Sequence, residues 1–338
     1  MKPPKSFSIV DVAKTAGVST TTVSHVINRV PTVTADNRRR VEAAIQQLHY
    51  RPNPAAQRLA GGRNDTVGLV IPQFHERIFG SYYAMEVIKG IGTVAERLQL
   101  DLLLHITGDR NFARLPGVAG LLFMDVDEGG ELLDRTLDEG VPCVVINHFL
   151  EDLPISCVAI DNRAAAKQVV AYLAKLGHRE IATVTGNLKA QSGLARLDGY
   201  VVGMKEHGLT IKEGYIQRAD YSPDAARAGA EALLGRKDRP TAIFAASDEM
   251  ALAVIETARR LRLRVPEDVS VVGFDDNPIA ASAPVPLTTV YQPLGEMGKT
   301  ALQILHQHIA GKRKAPFKVT LPIKLVERQS CRQTWIEP

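Results

Sequence analysis

The chain has 338 residues, of which 45% are hydrophobic, and a formal net charge of +4. This length and apolar content suffice for a sizeable core and for two ordinary domains. Its three cysteines have no CxxC spacing and no apolar run approaches the roughly 20 residues of a membrane span, so we expect a cytoplasmic protein with no disulfide framework, no metal and no cofactor.

Charge is distributed unevenly along the chain. Residues 1–63 contain 10 Lys and Arg against 3 Asp and Glu, whereas the other 275 residues contain 31 against 34. A basic N-terminal segment on a slightly acidic body is typical of a protein that binds a polyanion through one end, because phosphate contacts supply most of the sequence-independent affinity. A merely solvated basic face is the alternative, and the helical pattern of the segment favours the first interpretation.

The first predicted elements are two short helices joined by a tight turn, in the stretch DVAKTAGVSTTTVSHVIN at 11–28. Gly17 supplies the permissive backbone of the turn, and Ser19 is suited to cap the second helix. A third helix follows, capped by Thr34. The apolar residues that would bury one face of the first two helices are Val12, Ala13, Ala16, Val23, Val26 and Ile27. We predict a small all-α helix-turn-helix domain that reads DNA at residues 1–50.

This head resembles the LacI/GalR (lactose repressor) family of bacterial transcription regulators, and the stretch STTTVSHVIN is especially similar to the purine repressors of that family. Many members carry Arg where His25 stands, so we expect an altered half-site. For each polar residue alone, surface solvation is the alternative, whereas the joint spacing favours DNA contact. By this resemblance base edges are contacted by Thr20, Thr21 and His25, and phosphates or helix docking involve Ser19, Thr22, Ser24 and Asn28.

A linker with a conditional helix is predicted at residues 51–64. Pro52 and Pro54 precede the short segment AAQRLA, and two glycines follow it. Six residues cannot sustain an isolated helix in water, so a partner has to order them. In the family the matching segment is a hinge helix in the minor groove, with Leu59 at the position of a leucine wedged between base steps. The alternative is a linker leucine that packs on its own body.

The remaining residues alternate apolar runs with helical stretches, which is typical of parallel sheets covered on both faces. We predict helices over 83–98, 130–139, 163–176, 193–207, 223–234, 249–261 and 294–310, and a last strand over 319–329. The body is therefore α/β, with two doubly wound parallel-sheet lobes at 65–155 and 156–330, chain crossovers near 290–320 and a short tail at 331–338. This arrangement resembles the periplasmic sugar-binding fold, which closes on a small molecule.

Polar residues follow several predicted strands, where the cleft between such lobes would lie. A carboxylate beside a guanidinium, with amide and hydroxyl groups, suits a polyhydroxylated ligand. Asp248 is expected to cap its helix instead. Ala190 stands where the purine repressors carry an effector-binding Arg, which argues against a purine. The family resemblance implies effector contacts at Ser192, Arg196, Tyr221, Ser247, Asp275 and Gln292.

We therefore predict a homodimeric, ligand-responsive repressor that binds a pseudo-palindromic DNA operator and is released by a saccharide or nucleoside. The family places the dimer seam at the helices near 83–97 and 131–139. The second choice is a corepressor-dependent repressor with a purine-like ligand. The sequence does not distinguish a repressor from an activator, and a solute-binding protein is a remote alternative. No GxGxxG, Walker-type phosphate loop, GxSxG or HExxH motif is present, so we do not expect an enzyme.

Overall fold

The computed structural model describes residues 7–27, 30–48, 50, 64–72, 80–107, 117–124, 131–150, 152–312 and 315–334. The predicted hinge helix with Leu59, as well as Asn28, lies outside these residues. The chain divides into two compact units, Met1–Asn64 and Asp65–Pro338. Among the described helices, none combines the length and the hydropathy that crossing a membrane requires.

The N-terminal unit contains the three predicted helices, α1 (Ile9–Ala16), α2 (Thr20–Ile27) and α3 (Ala35–Gln47). Gly17 ends α1 in the left-handed region at φ 61°, as a tight turn between helices requires. The Ser19 hydroxyl accepts a hydrogen bond from the Thr22 amide at 3.1 Å and so caps α2. Arg40 of α3 donates to the Gly17 carbonyl at 3.2 Å, which fastens the turn to the third helix.

The first lobe of the second unit is built on a six-stranded parallel sheet of order β11-β5-β4-β3-β1-β2. Its strands are β1 (Thr66–Pro72), β2 (Asp101–Thr107), β3 (Gly120–Met124), β4 (Cys143–Ile146), β5 (Ser156–Ile160) and β11 (Lys318–Leu321). The helices that belong to this lobe are α4 (Tyr82–Leu98), α5 (Glu131–Asp138) and α11 (Leu294–Ile309). Because helices cover the sheet, β3, β4 and β5 are buried along their whole length.

The second lobe contains a four-stranded parallel sheet of order β7-β6-β8-β9. Its strands are β6 (Ile181–Thr185), β7 (Ile216–Arg218), β8 (Ala242–Ala245) and β9 (Ser270–Val272). Its helices are α6 (Asn162–Lys175), α7 (Gln191–Glu206), α8 (Pro223–Leu234), α9 (Asp248–Arg260) and α10 (Pro278–Ser282). An antiparallel ribbon of β10 (Thr289–Tyr291) and β12 (Lys324–Val326) completes the lobe beside β9. The predicted two-lobed α/β body is thereby confirmed.

The chain crosses between the lobes three times, and two details differ from prediction. The strand β5 pairs with β4 in the first sheet, so the first crossover follows Ile160 instead of lying near Ile155. The second crossover leads from β10 into α11. The predicted last strand is two strands, because β11 joins the first sheet and β12 turns back to pair with β10. The third crossover, between β11 and β12, follows Leu321, just beyond the predicted region of 290–320.

Candidate DNA-reading helix and effector pocket

The helix α2 presents one polar face and one apolar face. Val23 is fully buried and Val26 is 5% exposed, so they hold the helix against α1 and α3. Thr20, Thr21 and His25 are exposed. At 100° per residue these three side chains fall within a sector of about 140°, which is narrow enough to face one groove. The structure therefore brings together the three residues for which base contact was predicted.

The other predicted DNA-contacting residues of α2 are less exposed. Thr22 and Ser24 are half-buried, and Ser19 and Thr22 form a hydroxyl–hydroxyl hydrogen bond of 2.9 Å. Because Ser19 also caps the helix, its hydroxyl is engaged within the head. Ser19 and Thr22 thus have a structural role as well as the predicted phosphate contact, which stays a prediction.

Arg196 lies at the centre of the predicted effector pocket. Its side chain is 4% exposed and projects from α7 toward the carboxyl ends of the strands of the second sheet. Nε donates to Asn162 Oδ1 at 2.8 Å and Nη1 donates to the Ala246 carbonyl at 2.6 Å. The guanidinium carbon lies 3.7 Å from the centre of the Phe274 ring, a cation–π contact. These contacts hold the guanidinium in place, and its side chain keeps a small exposed fraction of 4%.

Asp275 faces this guanidinium from the loop after β9. The shortest separation is 3.8 Å, from Arg196 Nη1 to Asp275 Oδ1. Gln292 Nε2 donates a hydrogen bond to the same carboxylate oxygen. Burial raises the pKa of Asp275 to about 7, because the cost of burying the charge outweighs the attraction of Arg196 and the hydrogen bond from Gln292. The carboxyl group is therefore poised to change its charge near neutral pH.

Gln292 has an acceptor that the described part of the protein leaves unused. The residue is 2% exposed and follows β10 at the second crossover. Its Oε1 is buried and has no hydrogen-bond partner among the described residues. The same holds for Oγ1 of Thr185, at the carboxyl end of β6. A buried acceptor without a donor is costly, so a ligand hydroxyl or amino group at Gln292 would remove this penalty.

Ser192 and Tyr221 form the edge of the pocket. Ser192, in the first turn of α7, lies 3.4 Å from the Tyr221 hydroxyl. Tyr221 has a positive φ of 59°, and its ring covers Gly186 so closely that a β-carbon there would collide with it. A non-glycine residue in this conformation is uncommon and often marks a functional site. The ring is thereby held beside the pocket, where it can stack on a ligand.

Ser247, not Asp248, caps the helix that begins at this point, although the sequence predicted the cap at Asp248 and an effector contact at Ser247. The Ser247 hydroxyl accepts from the Met250 amide and caps α9, so the predicted capping role of Asp248 is wrong. Asp248 is fully buried and accepts hydrogen bonds from the Asn277 amide at 2.7 Å and the Thr289 hydroxyl at 2.5 Å. Burial, together with the charge of Asp275, raises its pKa. Asp248 thus anchors the loop that carries Asp275.

Sequence reasoning missed two residues that complete this cluster. Asn162, 5% exposed, accepts from Arg196 and donates from Nδ2 to Asn147 Oδ1 at 3.4 Å. Asn147 directly follows β4 of the first sheet and is 2% exposed. Each asparagine comes within two residues of the carboxyl end of a strand, the signal that identified Asp275. The cluster therefore joins the ends of strands from both lobes.

Comparison with known protein families assigns both parts of the chain. Residues 8–53 match the model of bacterial regulatory proteins of the lacI family, and residues 170–331 match a periplasmic binding protein-like domain. These segments contain α1 to α3 and most of the second lobe, respectively. The matches agree with the predicted fold.

Curated relatives are similar along nearly the whole chain. The HTH-type transcriptional repressor PurR of Yersinia enterocolitica is 34% identical over 333 residues, which cover 96% of each chain. Catabolite control protein A of Priestia megaterium is 33% identical over 96% of this chain and 99% of the relative. The relatives are regulators of transcription, in agreement with the expectation of a non-enzymatic regulator.

Solved structures of such regulators have the same architecture. The lac repressor dimer bound to operator and the anti-inducer ONPF superposes with a TM-score of 0.82 at 26% identity, over 97% of this chain and 100% of that chain. The complex of the transcriptional regulator CelR with cellobiose gives a TM-score of 0.75 at 31% identity, over 96% of this chain and 99% of that chain. The similarity covers the head and both lobes.

Proposed function

Because the chain belongs to the lacI family of bacterial regulatory proteins and is a DNA-binding transcriptional regulator, we propose that it is a repressor released from its operator by a small polyhydroxylated effector. The observation that carries this proposal is the buried cluster of Arg196, Asp275 and Gln292, which keeps an unused acceptor inside a protein with a DNA-reading head. A regulator of this construction binds an operator and a small molecule.

The base contacts are proposed to come from the exposed face of α2. Thr20 and Thr21 offer hydroxyls that donate or accept, and His25 offers an imidazole N–H for the acceptors of guanine. Ser24 is proposed to contact a phosphate at the same face, and Ser19 and Thr22 are proposed to contact phosphates beside it. A half-site of a few base pairs gives limited specificity, so two heads on a pseudo-palindrome, and hence a homodimer, are part of the proposal.

The effector is proposed to be a saccharide or a nucleoside. Asp275 and the Oε1 of Gln292 accept from ligand hydroxyls, whereas the guanidinium of Arg196, whose Nε and Nη1 already donate within the protein, donates to them. Tyr221 is positioned to stack on the ring, with Ser192 beside it. Ser247 is the weakest member of the set, because its hydroxyl caps α9.

The properties of the relatives are consistent with this choice. One relative is named the transcriptional repressor PurR, and one similar structure is a complex with cellobiose. Here Ala190, which is 5% exposed, precedes α7 and offers no cation or hydrogen-bonding side chain for a purine. A saccharide or nucleoside inducer is therefore preferred over a purine corepressor.

The test begins with selection of bound duplexes from a random library, followed by titration of the selected operator. Cellobiose, D-ribose, adenosine and hypoxanthine serve as probes. We expect a saccharide or nucleoside to weaken operator binding by at least about tenfold, a typical allosteric coupling. Stronger operator binding with hypoxanthine would favour the corepressor alternative, and no preference for any duplex would contradict the DNA-binding role.

Matched variants on one helix separate the pocket from the fold. Arg196→Met should abolish the response to the active probe while operator binding without probe is retained. Lys205→Met, on the exposed surface of the same helix, should respond as the unmodified protein does. An Arg196→Met protein that still responds fully would contradict the proposed pocket.

A further inference from the structure

The cluster around Arg196 contains a hydrogen-bonded connection between the lobes. Asn147 follows β4 in the first lobe, and Asn162 begins α6 directly after the first crossover. Asn162 Nδ2 donates to Asn147 Oδ1 at 3.4 Å, and Asn162 Oδ1 accepts from Arg196 Nε at 2.8 Å. One side-chain amide thus connects the first sheet with the central cation of the pocket.

The burial of these groups gives the connection its significance. Asn147, Asn162 and Arg196 are 2%, 5% and 3% exposed, so water cannot replace a lost partner without rearrangement. On the other side of Arg196, Asp275 forms an ion pair with the guanidinium and accepts a hydrogen bond from Gln292, which lies at the second crossover. The buried polar chain therefore includes residues at two of the three points where the lobes are joined.

The backbone at Asn147 explains how it reaches across. Its φ is 65°, in the left-handed region that asparagine tolerates better than most residues. Its own amide donates to the Val158 carbonyl of the neighbouring strand at 2.8 Å. The first lobe consequently presents this side chain from a fixed position, and a change in the angle between the lobes has to alter the contact with Asn162.

We propose that Asn162 is a positioning residue that orients Arg196 for the effector and couples the occupancy of the pocket to the angle between the lobes. The claim that Asn162 orients Arg196 for an effector rests on the proposed function. The claim that Asn162 affects the angle between the lobes concerns the ligand-free protein and is tested separately.

Two substitutions at this position distinguish hydrogen bonding from space filling. Asn162→Leu keeps the number and branching of the side-chain heavy atoms and has no polar group. Asn162→Asp keeps the acceptor for Arg196, and the Asn147 amide can turn to donate to it. The control is Arg163→Ala, one residue further along α6, whose exposed ion pair with Asp198 lies outside the chain of contacts.

The conformational experiment uses the full chain without effector. Dyes are attached to cysteines introduced at two exposed positions by Gln303→Cys in α11 and Lys205→Cys in α7, in a Cys331→Ser background, and the distance between lobes is measured by single-molecule energy transfer. We expect Asn162→Leu to broaden or shift the distance distribution, while Asn162→Asp and Arg163→Ala match the unmodified protein. A folded Asn162→Leu protein with an unchanged distribution would overturn the proposal.

The effector experiment compares operator affinity with and without the active probe from the panel above. In the Asn162→Leu variant we expect operator affinity with and without the probe to differ by no more than about twofold. In the Asn162→Asp variant the probe should still weaken operator binding as it does in the unmodified protein. Full release in Asn162→Leu would refute the coupling while leaving the proposed function intact. If no probe binds the unmodified protein, the proposed function fails and the distance measurement alone decides the hinge role.

A second variant keeps the test decisive if Asn162→Leu does not fold. Asn147→Gly removes the far end of the connection, and glycine adopts a φ of 65° without strain. It should change the distance distribution in the same direction as Asn162→Leu. An unchanged distribution in a folded Asn147→Gly protein would also overturn the proposal.

Discussion

Replacement of Asp275 by Asn should change how the stability of the protein depends on pH. Burial raises the pKa of this carboxyl group to about 7, above the value of 3.8 expected in the unfolded chain. The unfolded state therefore releases the proton first as pH rises. The stabilisation from the neutral form is fully present below about pH 4 and is lost as pH rises through about 7.

The size of this effect follows from the shift. A difference of about three pKa units corresponds to a loss of at most about 4 kcal/mol in the unfolding free energy. We expect a loss of roughly 2–4 kcal/mol, because Arg196 attracts the ionised carboxylate and offsets part of the cost of burying it. The side-chain amide of the Asp275→Asn variant cannot ionise, so this variant should lack the loss. Urea unfolding of both proteins at the same concentration, at several values between about pH 4 and 8, measures the difference. Parallel pH profiles for the two proteins would refute the buried neutral carboxyl group.

Effector binding should have the opposite pH dependence. A ligand hydroxyl that donates to the ionised form of Asp275 favours loss of the proton, so affinity should rise with pH up to about 7 and then level off. The contribution of Asp275 to the stability of the ligand-free protein falls over the same interval. Affinity that does not depend on pH would show that the effector makes no such contact.

Three further outcomes are expected. His25→Ala should weaken operator binding by about 1–3 kcal/mol, with little effect on nonspecific duplex, as measured by competition titration; equal losses would contradict base contact. Gly17→Ala should destabilise the head by about 1–2 kcal/mol, seen as earlier thermal loss of helicity, because φ is 61° and the added carbon would meet Arg40; an unchanged midpoint would contradict this. Burial lowers the pKa of His178, which bonds the Arg332 carbonyl, to about 4, so the contribution of His178 to the unfolding free energy should fall by about 3 kcal/mol from pH 6.5 to 4, opposite in sign to that of Asp275; urea unfolding of His178→Gln beside the unmodified protein should show that this contribution is lost.

The helices were predictable because each has an amphipathic pattern and a cap that act locally. Those at 223–234 and 294–310 are observed as Pro223–Leu234 and Leu294–Ile309. Thr34 caps α3 as expected. Such signals depend on residues within one or two turns, and the sequence contains all of them.

Membership of a sheet was harder to predict. The strand Ser156–Ile160 is buried at every position, and so are β4, which precedes it in the sequence, and β6, which follows it. The burial pattern of this strand therefore does not identify the sheet to which it belongs. Its pairing with β4 depends on contacts distant in sequence. For the same reason the segment after residue 317 reads as one strand, although its two halves pair with β5 and β10 in different sheets.

The pocket was predicted in part, for a related reason. Arg196, Asp275 and Gln292 were identified from their places after strands and from the family resemblance, and the structure brings them into contact. The helix cap was assigned to Asp248 instead of Ser247, because either of two adjacent polar residues at the start of a helix can act as the cap. Asn162 was missed since a polar residue after a capping aspartate is usually a surface residue.

The energetics of switching explain why the pocket has to include the crossovers. Shifting operator occupancy from 1:99 to 99:1 requires an effector preference of about 5.5 kcal/mol for one state. Hydrogen bonds to charged groups contribute about 1.5–3 kcal/mol each, so contacts with Arg196 and Asp275 are of the required size. A ligand with equal contacts in both states shifts nothing, however tightly it binds. These groups are held by Asn162 and Gln292, which lie where the chain passes between lobes. Contacts with the effector therefore differ between lobe angles, and the binding energy acts on the conformation.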